Sequence, residues 1–533
     1  MDGTVPRAVQ PEDLLAIKTV ADAQLSPDGS RVAYVLNEID AEADGLRTSI
    51  WIAGATPDGT TTAGDAAGPK RFTRGPKRDS APRWSPDGHY LAFLSDRDSD
   101  KDDGPVQLYV MPTDGGEARK LTSLDKGAGP AVWSPDGRRI LFASQSHKES
   151  PPEDEAARAR WDQRPRGITR AQYKGDGQGY IFDAVSHLFV IPFEAGGATV
   201  EAEAKQITFG DGEDRAPAWS PDGRQIAFSR TRSGAADYTL SDIWVADAAG
   251  GSLRRITETI GRATSPAWSP DGQKIACYGT DRQEPGFGES QIRVWTVAAG
   301  GGEPRRLAPE DDRSAVSLAA PQVTPGPVWS PDGTALTFVV SDAGNAHVVR
   351  AGLDDPVMQT IVGGERQITS ASAVPAPGRI AFTATEPSDP GDLYVCAWDG
   401  SEERRLTRVN ETLLAGLAWP RIERRMFDSP HGGTIDGWLT HPVANPGNAA
   451  SGTGPAPLLV QIHGGPHSFA GNAFQFGAFF GYVLACRGWA VLALNPGGSG
   501  SYGQAFAHRI RGRWGELDLP EQLAAVDTLI AEG

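Results

Sequence analysis

Two glycine-rich segments near the end of the chain carry residue types that could do chemistry. The first is the motif HGGPHS at residues 463–468, which directly follows the apolar run PLLVQI. A continuous apolar strand is typical of the middle of a sheet, and glycines after it let backbone N–H groups approach a substrate closely. Gly464 and Gly465 are therefore candidate donors to an oxyanion. A glycine loop after a strand also occurs in many α/β proteins for structural reasons alone.

The second segment, PGGSGSYG at residues 496–503, imitates the Gly-x-Ser-x-Gly elbow that presents a nucleophilic serine. Ser501 fails as that nucleophile because residue 499 is serine where the elbow requires glycine. A triad in the order serine, aspartate, histidine also needs a histidine after its aspartate, and the last histidine is His508. No Gly-x-Ser-x-Gly occurs elsewhere. We therefore expect the catalytic triad to be absent from residues 1–533.

The elements before these segments are organised by one repeated tetrapeptide, Ser-Pro-Asp-Gly. It occurs six times, starting at residues 26, 85, 134, 220, 269 and 330, and a weaker seventh copy starts at residue 376. The spacings of 59, 49, 86, 49, 61 and 46 residues bracket the ~40–50 residue period of four-stranded propeller blades. Proline, aspartate and glycine favour a tight turn, and an alternating strand follows each copy. This pattern predicts a seven-bladed β-propeller.

Five of the copies are preceded by tryptophan, at residues 84, 133, 219, 268 and 329. We interpret these tryptophans and the turn aspartates as inter-blade packing and turn chemistry rather than catalysis. The longest spacing contains a charged insertion at residues 146–183, which is either a recognition arm over a central pore or a solvated structural loop. The acidic stretch Asp96–Gly104 lacks calcium-loop spacing and is interpreted as a solvated turn.

The pattern changes after residue 412, where the repeats stop and longer strands alternate with helical stretches. Two antiparallel strands are predicted around the turn at Pro430–Gly433, followed by the PLLVQI strand, a helix over residues 472–488 that ends at Gly488, and the WAVLALN strand. The next segment, from Leu517, is predicted as an amphipathic helix whose apolar residues are Leu519, Leu523, Val526, Leu529 and Ile530. This order is how an α/β-hydrolase sheet begins. The predicted domains are an N-terminal segment at 1–20, the propeller at 21–412 and a partial α/β-hydrolase domain at 413–533.

Composition limits the partners and the compartment. The net charge of −17 disfavours nucleic acid and anionic membrane surfaces, which reward clustered lysine and arginine. Three widely spaced cysteines suggest no disulfide framework, and the N-terminus has no apolar signal segment. We expect a cytoplasmic protein with no metal and no organic cofactor.

The two modules together resemble the prolyl oligopeptidase family of serine peptidases, and most closely its acylaminoacyl peptidase and dipeptidyl aminopeptidase branches. The resemblance rests on the repeats followed by HGGPHS, LNPGGSGSYGQAF and RWGELDL. It implies a Ser-His-Asp acyl-enzyme mechanism on short peptides, with an oxyanion-hole region at His463, Gly464, Gly465 and Pro466. One departure is Gly497, where the family usually has arginine.

The resemblance also implies that the triad lies beyond residue 533, so that the chain is truncated before the catalytic serine and is inactive by itself. His463 is interpreted as an anchor of the oxyanion loop rather than as the general base. The alternative is a non-catalytic propeller binding protein or a pseudo-enzyme. The choice among proline-specific, acyl-amino-acid and dipeptide-releasing activity stays open.

Overall fold

The computed structural model describes most of the chain, and all structural statements below concern these residues. They are 6–55, 68–75, 77–99, 104–149, 152, 154–175, 179–181, 183–196, 203–234, 236, 239–283, 291–315, 326–443 and 455–533. Part of the acidic stretch at 96–104 and most of the loop at 444–457 lie outside them.

The repeats fold into antiparallel sheets of four short strands. Within its described residues the repeat region has a two-stranded sheet in the insertion (Lys174–Gly175 and Gly179–Tyr180), five separate four-stranded sheets and one eight-stranded sheet. The latter has two antiparallel halves joined by a single parallel bridge between Ala346 and Gln367. The strands of the five sheets are Thr19–Leu25, Arg31–Asp40, Gly45–Gly54 and Lys70–Arg71; Asp79–Trp84, Tyr90–Ser95, Gln107–Pro112 and Arg119–Lys120; Val132–Trp133, Arg139–His147, Ala184–Pro192 and Lys205–Gln206; Asp214–Trp219, Gln225–Thr231, Ser241–Asp247 and Arg254–Arg255; Gly261–Trp268, Lys274–Thr280, Arg293–Ala298 and Arg305–Arg306. The two halves are Val328–Trp329, Ala335–Asp342, Asn345–Gly352 and Gln359–Val362, then Gln367–Val374, Arg379–Glu386, Asp389–Ala397 and Arg404–Arg405.

Each Ser-Pro-Asp-Gly copy forms the turn between the first and second strands of its sheet. In the first copy, Ser26 Oγ donates to Asp28 Oδ1 at 2.6 Å, and the Ser30 N–H donates to the same carboxylate oxygen at 3.0 Å. Gly29 has φ +67°, a conformation that glycine adopts without a Cβ clash. The other five copies repeat the serine–aspartate bond at 2.5–2.6 Å. This confirms the prediction that the aspartates serve turn chemistry.

The tryptophans connect successive sheets. The Trp133 indole N–H donates to the Arg83 carbonyl at 3.1 Å, and the Trp219 indole N–H donates to the Val132 carbonyl at 3.0 Å. The tryptophans at 84, 268 and 329 make the equivalent bond to the preceding sheet at 2.9–3.2 Å. The prediction of inter-sheet packing is confirmed, since each indole satisfies a carbonyl of the neighbouring sheet.

The first sheet also contacts the last half-sheet. The Leu25 N–H donates to Ser372 Oγ at 3.1 Å, and Arg379 Nη1 donates to the Ala55 carbonyl at 2.6 Å. Apolar side chains from both parts, such as Tyr34 and Leu393, share one buried cluster. The start and the end of the repeat region are therefore packed together.

A separate four-stranded sheet, here called the post-repeat sheet, follows residue 412. Its strands, in spatial order, are Ile422–Asp428, Thr434–Thr440, Ala490–Asn495 and Leu458–Gln461. The last two pair in parallel, and the other pairs are antiparallel. The helices and 3-10 turns of the described residues are Pro11–Ala16, Glu155–Asp162, Glu411–Ala415, Phe476–Ala478, Phe480–Ala485, Gln504–His508 and Asp518–Glu532. None of these helices is long and apolar enough to cross a membrane.

The helix expected to end at Gly488 is shorter than the sequence suggested. It covers only Phe480–Ala485 after a 3-10 turn, although Gly488 has φ +90° as a helix-ending glycine would. The preceding residues bond to the repeat region instead: Asn472 Nδ2 donates to Asn345 Oδ1 at 2.8 Å. These partners are remote in sequence, and the local apolar period cannot reveal them.

The amphipathic helix is present at Asp518–Glu532, but its predicted apolar face is only partly buried, since Val526 and Leu529 are half-buried and Leu529 packs against the core of the sheet. Leu519, Leu523 and Ile530 are exposed, whereas Glu521 and Ala525 are fully buried. The buried face of the helix therefore carries the Glu521 carboxylate, which accepts three hydrogen bonds as described below.

The N-terminal segment packs against residues around the post-repeat sheet. Arg7–Ala8 pairs in parallel with Leu417–Ala418. Val9 and Ile17 share a buried cluster with Tyr482.

Candidate functional site

The HGGPHS segment begins where the Leu458–Gln461 strand ends. Gly464 and Gly465 are exposed, and no hydrogen bond found among the described residues uses either of their N–H groups. Gly465 has φ +127°, and a Cβ there would lie 2.5 Å from the His467 nitrogen. Glycine is therefore required at residue 465 for the segment to turn, and two backbone donors are left available.

Three contacts tie HGGPHS to the second glycine loop at residues 496–503. His463 Nε2 lies 3.0 Å from Ser499 Oγ, and His467 Nδ1 lies 2.7 Å from the Gly498 carbonyl oxygen. The Gly500 N–H donates to the Ser468 carbonyl at 3.3 Å. Burial lowers the pKa of His463, which favours the neutral form of this histidine where it links the two loops.

Asn495 fixes the end of the HGGPHS segment and was missed by sequence reasoning. It is fully buried, its Nδ2 donates to the Ala470 carbonyl at 2.8 Å, and its Oδ1 accepts from the Ala470 N–H at 2.7 Å. Asn495 Nδ2 also donates to the Tyr502 hydroxyl, which donates to Asp436 Oδ2 at 2.8 Å. Asp436 is in turn paired with Arg424. The sequence signal for this role of Asn495 is its place at the end of a buried strand, directly before a glycine loop.

Glu521 is the second residue that the sequence did not reveal. Its carboxylate accepts from the Gly497 N–H at 2.6 Å, from Ser429 Oγ at 2.6 Å and from Arg509 Nη2 at 3.0 Å. A fully buried carboxylate is stable only with such compensation. It connects the final helix to the second glycine loop and to the turn after the first strand of the sheet.

The departure at Gly497 has a local explanation. A Cβ there would lie 2.8 Å from Leu517 Cδ2 and 3.2 Å from Arg509 Cζ. The Arg509 guanidinium thus lies directly beside residue 497, where a larger side chain would contact it.

The Ser501 hydroxyl is held in the contact between the second glycine loop and the repeat region. Ser501 is buried, its Oγ accepts from the Gly344 N–H at 2.9 Å, and its carbonyl accepts from the Ala343 N–H at 2.7 Å. These bonds join the second glycine loop to the repeat region. The sequence-based rejection of Ser501 agrees with this geometry.

A cavity of about 1220 Å³ separates HGGPHS from the repeat region. Gly465, His467 and Ser468 line one wall, and the opposite wall comes from the first strand pair and from the second half-sheet. Asn37 and Gln367 are among the residues that line it from the repeat region. The described residues hold no group of three or more histidine, cysteine, aspartate or glutamate side chains placed to bind a metal ion.

The repeat sheets define a propeller domain, and the post-repeat sheet with its two glycine segments defines an α/β-hydrolase domain that follows it. A TolB β-propeller domain family model matches residues 18–160 and 198–411, and a prolyl oligopeptidase family model matches residues 475–533.

Similar proteins match nearly the whole chain. The uncharacterised peptidase YuxL of Bacillus subtilis (strain 168) is 32% identical over 98% of this chain and 76% of its own length. Dipeptidyl-peptidase 5 of Porphyromonas gingivalis is 26% identical over 98% of this chain and 72% of its own length. The chain belongs to the prolyl oligopeptidase family.

Among solved structures, an acylaminoacyl peptidase in complex with Z-Gly-Gly-Phe-chloromethyl ketone superposes with a TM-score of 0.74 at 20% identity. It covers 98% of this chain and 72% of that one. This likeness supports the fold.

Proposed function

We propose that the protein acts in the hydrolysis of short peptides by the serine peptidase mechanism of its family. The observation that carries the proposal is the HGGPHS segment, which leaves the Gly464 and Gly465 N–H groups available and lines the inter-domain cavity with Gly465, His467 and Ser468. YuxL and dipeptidyl-peptidase 5 are named as peptidases, and the acylaminoacyl peptidase holds a peptide ketone. Together they favour peptides as the substrate class.

In this proposal the Gly464 and Gly465 N–H groups stabilise the oxyanion of the tetrahedral intermediate. Such donors act best when they are held in place before the reaction, and removing one typically costs about 10²–10³ in rate. The three contacts to the second glycine loop and the Asn495 clamp supply that rigidity. His463 and Pro466 shape the segment without reacting.

We also propose that the repeat region, residues 21–412, is a seven-bladed propeller and that residues 413–533 belong to the peptidase domain. The five sheets, the two half-sheets and the contact of the first sheet with the last half support seven blades. The propeller then covers the cavity on the side opposite HGGPHS and limits substrates to short, unstructured peptides.

The mechanism needs a serine, a histidine and an aspartate that no motif within residues 1–533 provides. We therefore propose that residues 1–533 by themselves are inactive. The alternative, a non-catalytic propeller binding protein, is favoured by no observation on the site, since a pure propeller has no use for HGGPHS.

The test compares two products on acetylated peptide and dipeptide p-nitroanilides. One consists of residues 1–533, and the other is the whole product of the gene, if translation continues through a Gly-x-Ser-x-Gly sequence. We expect hydrolysis only by the second. Hydrolysis by residues 1–533 would refute the inactivity, and an inert product that contains the elbow would refute the peptidase function.

A cytoplasmic location remains part of the proposal. It is supported by Cys277, Cys396 and Cys486, which are all buried and free of disulfide bonds. Fractionation of cells that express the tagged gene tests it, and recovery outside the cytoplasm would contradict it.

A further inference from the structure

The charged insertion encloses a second cavity, here called the insertion cavity, of about 710 Å³. It lies between the insertion and the rims of the third and fourth sheets, and no residue after 232 lines it. It is therefore separate from the HGGPHS wall. Its lining residues with full charges are Lys126, Lys148, Glu149, Arg158, Asp162, Arg166, Arg170, Asp183, Asp211, Glu213, Arg215 and Arg232.

The insertion cavity opens on the side of the propeller that faces the peptidase domain. The insertion joins the second strand of its sheet, Arg139–His147, to the third, Ala184–Pro192. In the sixth repeat the same connection contains Gly344, whose carbonyl accepts from the Asn472 N–H of the peptidase domain at 2.9 Å. Equivalent connections leave a propeller on the same rim. The insertion therefore stands at the edge of the space between the domains.

The charge of this cavity is opposite to that of the chain. Seven lysine and arginine side chains and five aspartate and glutamate side chains line it, whereas the whole chain has 51 basic and 68 acidic residues. Lys126 and Arg158 come from different segments and both act on His147. Burial first, and then the positive charge of Lys126 and Arg158, lowers the pKa of His147. A local positive potential is the physical cause of the charge contribution.

Ion pairs hold the insertion in place around this space. Arg164 and Arg166 donate to opposite oxygens of Asp183 at 2.9 and 2.8 Å. Lys148 reaches the fourth sheet through Asp211 at 2.5 Å. These contacts, with the Arg215–Glu213 ion pair, use part of the charge for structure.

Arg158 is held only by an exposed ion pair with Asp162 of its own helix at 3.8 Å, and such pairs are weak. No ion pair among the described residues involves Lys126, so the wall at Lys126 and Arg158 can turn to a ligand.

The mixture of charges selects the kind of anion. A dense polyanion such as a polyphosphate would meet five carboxylates as well as the basic groups, and like charges in one site are unfavourable. A peptide with separated carboxylates can place each one against a basic side chain. Its backbone N–H groups can then meet the carboxylates of the wall.

We propose that the insertion cavity is a binding site for acidic peptides, which takes their glutamate or aspartate side chains or their C-terminal carboxylate. The choice of a peptide as the ligand rests on the proposed peptidase function. At the edge of the inter-domain space, the site would favour acidic peptides among those that reach the HGGPHS wall.

Calorimetric titration of residues 1–533 with acetyl-Ala-Glu-Ala-Glu-Ala tests this without any hydrolysis. The peptide with a free C-terminal carboxylate is compared with its C-terminal amide and with its Gln-for-Glu counterpart. Since paired charges set much of the specificity, we expect loss of the carboxylates to weaken binding about tenfold. The amide and the Gln peptide show which carboxylate is bound. Equal affinity for all three peptides overturns the proposal.

The matched variants lie on one helix. Arg158 lines the cavity, whereas Arg160 is exposed on the same helix and does not line it. We expect Arg158→Gln and Lys126→Gln each to weaken binding of the acidic peptide about threefold to fivefold, and Arg160→Gln to leave it unchanged. An equal loss in Arg160→Gln, or tighter binding of inorganic tripolyphosphate than of the peptide, overturns the proposal. Failure of peptide hydrolysis would not affect these titrations, so the two proposals fail separately.

Discussion

The propeller and the peptidase domain hold their turns in different ways. In the propeller, each turn is fixed by neighbours in sequence, as Ser26, Asp28 and Gly29 show, and the same contacts recur in six copies. In the peptidase domain, the second glycine loop is fixed by Glu521 from the last helix and by HGGPHS, more than 20 residues away in either direction. Damage to one contact should therefore be local and small in the first region, and large in the second.

The largest effect is expected for Glu521→Ala. It would leave the Gly497 N–H, Ser429 Oγ and Arg509 without their shared partner, and breaking such a buried network costs about 3–5 kcal/mol. Urea unfolding should show early loss of the peptidase domain and an unchanged propeller transition. The control is Glu516→Ala, which removes an exposed carboxylate from the same region. A loss no larger than that of the control would contradict the role of Glu521.

Gly471→Ala should loosen the contact between the domains. A Cβ at residue 471 would lie 2.2 Å from Gln367 Nε2 and 2.4 Å from the Gly344 oxygen, and overpacking of this kind costs about 1–3 kcal/mol. Small-angle scattering should show a larger radius of gyration, with each domain still folded. Gly477→Ala is the matched control, because nothing lies within 4 Å of its added Cβ. Identical scattering of the two variants would count against a tight contact at Gly471.

Trp219→Phe tests whether the propeller contacts are equivalent. It removes the indole donor to the Val132 carbonyl, and leaving this carbonyl unpaired costs about 1 kcal/mol. Trp133→Phe and Trp268→Phe should cost the same within error, since each breaks the same bond to the preceding sheet. Thermal unfolding measures the three losses. One tryptophan with a much larger loss would mean that the repeats are not energetically alike.

The smallest effect concerns acid. Hydrogen bonds from Ser330 and then Thr334 lower the pKa of Asp332 to about 2. Because this carboxylate is more acidic in the folded state, its stabilisation is complete above the unfolded value of about 4 and is lost as the pH falls towards 2. Asp332→Asn and Ser330→Ala should both flatten the fall in melting temperature between pH 4 and 2. An unchanged slope in both variants would contradict this assignment.

The same contrast explains what the sequence could predict. The four-stranded repeat sheets, the turn residues and the tryptophan bonds follow from local motifs, and so does the order of strands after residue 412. Glu521 was hidden, because a glutamate within an amphipathic helix looks like a solvent-facing residue until Gly497, Ser429 and Arg509 are brought to it. Asn472 was likewise assigned to a helix from the apolar spacing of its neighbours. Its partner Asn345 lies 127 residues away, where a local pattern does not reveal it.

The candidate site likewise has features that local sequence predicts and features that depend on the fold. HGGPHS could be found from its glycines and the strand before it, and the failure of Ser501 followed from its neighbours. The Asn495 clamp and the position of Arg509 beside Gly497 depend on folded geometry. The wall that the propeller supplies could not be predicted, because no motif marks Asn37 or Gln367 as residues that line the cavity.

The central claim is that residues 1–533 supply a propeller, a cavity and oxyanion donors but no activated serine. Treatment of this polypeptide with a fluorophosphonate, followed by intact mass spectrometry, tests it most directly. We predict no adduct, because the most elbow-like serine, Ser501, is buried with its Oγ held by the Gly344 N–H. A stoichiometric adduct on any serine, lost on heat denaturation before labelling, would contradict the claim.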